Sequence, residues 1–148
     1  MKHYFQEEHY MLQEMVRDFA HREVAPIAAS LDREERFPEE LIPKLAELGL
    51  LGIPFPEEYG GAGMDTMAYT IAIEELAKVD ASVAITVAAH ISLGTSPIYL
   101  FGTDAQKKTH LQNLTGGKYL ACFGLTEPEA GSDAGATRTT AVRQRDEW

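Results

Sequence analysis

Two stretches, MAYTIAIEEL and ASVAITVAA, are apolar on nearly every side of a helix. A helix of that kind is stable in water only when other elements cover it, so the pair defines the interior of an α-helical bundle that the rest of the chain must wrap. Asp65 stands where it can cap a helix through about Lys78, and Asp80 where it can cap another through about Ile91.

The flanking sequence supplies the wrapping. Leu12, Val16, Phe19, Ala20, Val24, Ile27 and Leu31 recur at steps of three and four, which predicts a helix from about Glu7 to Ser30 with one buried face. Pro26 falls inside that pattern, so a kink or break is expected near the residues before it. Leu41, Leu45 and Leu48 mark a second amphipathic stretch between Pro38, suited to a first helical position, and Gly49, suited to a cap. Pro43 fits poorly there, and the helix must start late or bend. The stretch GLLGIPFPEEYGGAG, which begins at Gly49, is expected to be an ordered loop. Thr103 with Gln106 forms a capping box for a helix ending near Leu114, before Gly116 and Gly117.

Thirteen basic and twenty-three acidic residues give a net charge of −10, a surface that repels a phosphate backbone and argues against nucleic-acid binding. Cys122 is the single cysteine, so no internal disulfide or multi-cysteine metal site can form, and its apolar surroundings favour a buried, inert thiol. The acidic start MKHYFQEEHY does not read as a signal peptide. The longest apolar region, ASVAITVAAHISLG, is interrupted by polar residues and falls short of the roughly 20 residues of a membrane span, so a buried helix is expected. His90 within it reads as a core or pocket-lining residue. Of Glu74 and Glu75, at least one needs a partner on a largely buried helix, most simply a structural ion pair.

From Lys118 the pattern changes to strand: YLACFGL, then a loop of small residues, then TRTTAVRQ. The expected organisation is mainly α, a helical domain over 1–118 followed by the start of a β domain over 119–148. Unpaired edges at Tyr119 to Leu125 and Thr137 to Arg143 would carry a risk of association. Between the two strands, Ala130, Gly131 and Ser132 admit close approach of backbone N–H groups to an anion, and Thr126 adds a hydroxyl. Glu127, Glu129 and Asp133 would repel a diphosphate if they faced it, so they must turn away, cap the loop or pair with a cation such as Arg138. A polar turn explains the same residues, and a calcium loop is disfavoured by the spacing of the three acids. The EEYGGAG loop could equally bind an anion or simply lead into the Asp65 helix. No nucleophile triad or metal site is visible.

The stretch FGLTEPEAGSDAGAT closely resembles the Leu-Thr-Glu-x-x-x-Gly-Ser-Asp loop of the flavin-dependent acyl-CoA dehydrogenases. FPEELIPKLAELGLLGIPFPEEYGGAGMDTMAYTIAIEELAKVDAS, HISLG and PIYLFGTDAQKKTHL occur in that family's order as well, so the likeness covers nearly the whole chain and is greatest to the short-chain branch.

The resemblance implies an N-terminal helical domain of acyl-CoA dehydrogenase type with the beginning of the middle β domain. It implies FAD as cofactor, with Phe123, Gly124, Leu125 and Thr126 along the flavin, and Gly131 and Ser132 on the phosphate side. Ser132 would also touch the acyl-CoA, and Ile85 with Ala89 would line the acyl pocket, although ordinary core packing explains those two equally well. The reaction implied is α,β-dehydrogenation of an acyl-CoA thioester to the trans-2-enoyl-CoA, with an electron-transferring flavoprotein as acceptor and a tetramer as the complete enzyme. No catalytic residue is assigned, because the family's base glutamate and its second flavin-contacting strand correspond to positions beyond residue 148. The isolated chain is therefore expected to be inactive, in the cytoplasm or, in a eukaryote, the mitochondrial matrix. A helical interaction module that retains the fold, and a stand-alone flavin carrier, are the competing readings.

Overall fold

The computed structural model describes residues 5–147. The expected ranges 1–118 and 119–148 reach past both ends: residues 1–4 and Trp148 lie outside the described residues. The first described helix, α1 (Glu7–Phe19), passes through a π-helical turn (Ala20–Val24) into α2 (Ala25–Glu34). Helix α3 (Leu41–Glu47), a buried-sided loop, and α4 (Thr66–Ala77) follow. Helix α5 (Ala81–Ala89) runs through a second π-helical turn (His90–Thr95) into α6 (Ser96–Phe101), and α7 (Asp104–Thr115) closes the helical block.

Both π-helical turns stand just before a proline, Pro26 and Pro97, in the first turn of the helix that follows. A proline within a helix has no N–H to donate and crowds the carbonyl four residues earlier. Widening the turn relieves that crowding without ending the helix. The Ala25 N–H accordingly donates to the carbonyl of Ala20, five residues back. The same device carries the second helix beyond Ile91, where the sequence pattern ended it, to Phe101. Pro43 is handled differently: α3 starts at Leu41, later than Pro38, so Pro43 lies in the first turn where its missing N–H costs nothing.

Helix α4 occupies the centre, packed on α1 at one side and α5 at the other. Its buried residues Ala68, Ala72 and Leu76 share one apolar cluster with Leu12, Val16, Ala84 and Val87. Leu50, Leu51, Ile53 and Phe55 from the loop after α3 complete the core, all of them 0–1% exposed. Each such side chain contributes about 1.5–3 kcal/mol by burial, against about 0.3–0.5 kcal/mol for an exposed pair such as Arg22 with Asp18. Apolar packing therefore decides the architecture. The expectation that the central helices lie wholly in the interior is corrected: Met67 on α4 and Ile85 on α5 are 39% and 63% exposed, and Leu93 and Leu100, further along the second helix, are 51% and 62% exposed. The continuous helix Ala81–Phe101 has 21 residues and, by length and composition alone, could cross a membrane, which corrects the length estimate from sequence. The core helix of a soluble protein passes the same test, and here α5 packs on α4.

Glu75 is the buried charge of this core, 2% exposed on α4. Its carboxylate accepts hydrogen bonds from Gln13 (2.8 Å), Arg17 (3.0 and 3.1 Å) and Lys78 (2.8 Å), which fulfils the expected ion pair. His9 makes a second polar link: Nδ1 accepts from the Gln6 N–H, and Nε2 lies 3.0 Å from Asp65 Oδ1, the oxygen that also caps α4 at Ala68. Helix α4 is thus tied to α1 near both of its ends.

The expected strands do not pair. Among the described residues only isolated bridges, Glu127 with Ala130 and Gln144 with Glu147, occur after α7, together with a short 3-10 turn at Ala134–Ala136. Strand character in a sequence becomes a strand only when a neighbouring chain segment accepts its backbone hydrogen bonds, and these two segments are not neighbours in a ladder.

Burial alone would raise the Glu75 carboxyl, but the hydrogen bonds from Arg17, Lys78 and Gln13 outweigh it and bring the pKa from 4.5 to about 2. The folded value lies below the unfolded one, so the stability involved is complete above about 4.5 and is lost as pH falls towards 2. Thermal unfolding of the wild type should weaken across that window by on the order of 3 kcal/mol more than that of Glu75→Gln. Parallel pH curves would remove Glu75 as the source. A Cβ at Gly61 would lie 2.5 Å from the carbonyl carbon of Phe55 and 2.8 Å from the oxygen of Gly52. Gly61→Ala should therefore lower unfolding stability by about 2 kcal/mol or more in denaturant titration.

Candidate functional site

Helix α7 ends in Gly116 and Gly117, the latter at φ +70°, and the chain turns back along the helical block. The N–H groups of Lys118 and Tyr119 both donate to the Asn113 carbonyl, at 2.9 and 3.3 Å. Two residues on, the Ala121 N–H donates to Nδ1 of His90 at 3.0 Å. Because Nδ1 accepts, the ring proton of the neutral imidazole belongs on Nε2, a buried atom with no hydrogen-bond partner among the described residues. Burial pushes the His90 imidazole below its ordinary value, against a smaller opposing pull from the Leu114 and Leu51 backbone. His90 is thus the core histidine expected from sequence, with a second role that its position in an apolar run did not reveal.

Past this joint the segment is open. Phe123 is 55% and Leu125 43% exposed, and Gly124 and Thr126 are exposed too. The backbone N–H groups of residues 122–126 have no acceptor among the described residues. Cys122 is exposed, which corrects the expectation of a buried thiol. An apolar run buries its residues only when a sheet or helix covers it, and here the segment touches the helices through Ala121.

The loop that follows is organised by one of its acids. The Glu127 carboxylate accepts from the N–H groups of Arg138 (2.7 Å) and Thr139 (3.0 Å), while its backbone exchanges hydrogen bonds with Ala130 (3.0 and 3.2 Å). These donors, the Arg138 N–H first, hold its carboxyl below the usual carboxylate range. Of the three acids expected to repel a diphosphate, Glu127 is therefore committed to the base of the loop, and Arg138 meets it with its main chain. Gly131 and Ser132 stand exposed at the tip, their N–H groups without an acceptor among the described residues. A side chain added at Gly124 or Gly131 would meet open space within 4 Å.

Ile85 and Ala89 lie on α5, the first 63% exposed and the second half-buried. Ala89 directly precedes His90, so the joint at Ala121 brings the end of α5 to the open segment. Sequence reasoning missed that joint; the usable signal was a histidine four residues before a glycine on an otherwise apolar helix. Among the described residues no group of three or more His, Cys, Asp or Glu side chains is placed to hold a metal.

Glu127→Ala should accelerate amide exchange at Arg138 and Thr139 while leaving unfolding stability within about 0.5 kcal/mol of wild type, since the contact is at the surface. Unchanged exchange at both amides would show that other contacts hold the loop.

The family model described as "Acyl-CoA dehydrogenase, N-terminal domain" matches residues 6–118. A probable acyl-CoA dehydrogenase, YngJ, of Bacillus subtilis is 53% identical over 141 residues, 95% of this chain and 37% of that protein. The mitochondrial short-chain specific acyl-CoA dehydrogenase of Mus musculus is 46% identical over 142 residues, 96% of this chain and 34% of its own length. The solved acyl-CoA dehydrogenase of Bacillus anthracis, complexed with FAD, superposes with a TM-score of 0.85 at 40% identity, over 91% of this chain and 23% of that one. The chain thus spans about a third of the length of the curated relatives it matches. A helical block with these caps, this loop order and this match over most of its length belongs to the acyl-CoA dehydrogenase family.

Proposed function

We propose that these residues are the N-terminal portion of an FAD-dependent acyl-CoA dehydrogenase of the short-chain branch. The observation that carries the reading is the open segment and loop: residues 122–126, Gly131 and Ser132 present unused N–H groups, and Glu127 is turned into the loop base. This donor set fits a flavin dinucleotide. Backbone N–H groups serve carbonyl and phosphate oxygens, and small residues let them approach.

In this reading Phe123, Gly124 and Leu125 lie along the flat cofactor, and Thr126 offers its hydroxyl and N–H to the reactive edge. Gly131 and Ser132 donate to phosphate, and Ser132 also touches the acyl-CoA. Ile85 and Ala89 line the acyl pocket from α5. FAD, when bound, supplies the hydride acceptor for dehydrogenation of the acyl thioester to the trans-2-enoyl-CoA. No carboxylate here is assigned as base: Glu127 is committed to the loop and Glu75 to the core.

The helix Ala81–Phe101 is read as a core helix, and its exposed apolar residues as a surface that further protein covers. The complete enzyme is read as a homotetramer, with a helical domain over 1–118 and the start of a β domain over 119–148. An electron-transferring flavoprotein accepts its electrons. The cytoplasm, or the mitochondrial matrix in a eukaryote, is the compartment consistent with its relatives.

Titration of the 148-residue chain with FAD, followed by flavin fluorescence anisotropy, tests this. Saturable binding is expected, weak because a ligand enclosed on one side keeps much of its surface in water. Thr126→Ala with Ser132→Ala should weaken it by about tenfold or more. Binding that is indifferent to both substitutions would place the flavin elsewhere and overturn the assignment.

A further inference from the structure

Among the described residues one hydrogen bond joins residues 120–147 to the helical block, the Ala121 N–H to His90 Nδ1 at 3.0 Å. A second feature acts on the same residue. Gly94, four positions after His90 in the same π-helical turn, is buried, and a Cβ there would lie 2.6 Å from the carbonyl carbon and 2.9 Å from the Cα of Ala121, and closer still to its Cβ. Hydrogen bond and contact surface thus converge on one alanine. Gly94 leaves no room for a methyl group between the helix and Ala121, so the chain approaches the helix backbone closely at this residue.

We propose that His90 and Gly94 form a latch that reads Ala121 and so sets the register of Tyr119–Thr126 on the helical block. Side chains of an extended segment alternate, so a slip by one residue would exchange the face of Phe123 and Leu125 with that of Thr126. His90 and Gly94, four residues apart in the π-helical turn, lie on one side of a continuous helix. His90 acts through Ala121, five residues before Thr126, and is a positioning residue. Its consequence for flavin binding rests on the function proposed above; the latch itself does not.

The test is NMR on the isotopically labelled 148-residue chain. A through-hydrogen-bond 15N–15N coupling between Ala121 and His90 Nδ1 is expected, with the ring proton on Nε2. His90→Leu should accelerate exchange of the Ala121 amide by about tenfold, and His90→Asn, whose Oδ1 takes the place of Nδ1, should restore it. The amides of Val87 and Leu111 report the core and should not change. Gly94→Ala should displace the resonances of Leu120 to Thr126 even with His90 intact.

A wild-type ring protonated on Nδ1, or Ala121 exchange that is equal in wild type and His90→Leu, would overturn the latch. So would acceleration shared equally by Val87 and Leu111 without rescue by asparagine, which would make His90 an ordinary core residue. FAD titration of the same variants separates the two ideas. Absence of flavin binding in wild type removes the flavin reading and leaves the coupling result standing. Equal flavin binding by wild type and a His90→Leu chain that has lost the latch removes the positioning role.

Discussion

The close approach of α4 to α1 and α5 is the constraint on which everything else rests. It is made by small residues, Ala68, Ala72 and Ala84, which let the helices pack with Val16, Leu76 and Val87 filling the space between them. Such packing carries whatever else stands on the buried face of α4 into the interior. Glu75 is there for that reason, and it is tolerable only because Arg17, Lys78 and Gln13 meet it while their own charged or polar ends still reach the surface. The polar core is a consequence of the apolar one.

The two prolines show how the same constraint shapes the long helices. Ending a helix at Pro26 or Pro97 would expose unpaired carbonyls where the helices pack, whereas one wide turn keeps the chain helical and buried. At Pro97 that compromise does more. The wide turn is where His90 and Gly94 meet Ala121, so the irregularity forced by a proline is also the point where the post-helical segment is held. His9 and His90 each take a backbone N–H on Nδ1; Nε2 of His9 meets Asp65, whereas Nε2 of His90 is buried without a hydrogen-bond partner among the described residues.

The loop after Thr126 is organised differently from the core. Its order comes from a carboxylate and main-chain donors at the surface, so it is local and does not depend on the helical packing. That separation lets Gly131 and Ser132 present free N–H groups without exposing any part of the hydrophobic core.

Helices, caps and the small-residue loop were legible in the sequence because each rests on local chemistry. Asp65, Asp80 and the Thr103–Gln106 box cap the helices they were expected to cap, and the period of Leu12, Val16 and Phe19 marks the buried face of α1. Gly131 and Ser132 stood out for their size and Thr126 for its hydroxyl, whereas Phe123, Gly124 and Leu125 were singled out only by the family resemblance. What periodicity could not decide was everything set by a partner distant in the chain. It could not show whether Pro97 ends a helix or widens it, nor whether Cys122 is covered. It gave strand character to Tyr119–Leu125 without a neighbour to pair with, and it placed His90 in an apolar run without naming Ala121, thirty-one residues away, as the group it binds. Local preference fixes what a segment can form; burial and hydrogen-bond partners, which only the folded chain supplies, determine what it does form.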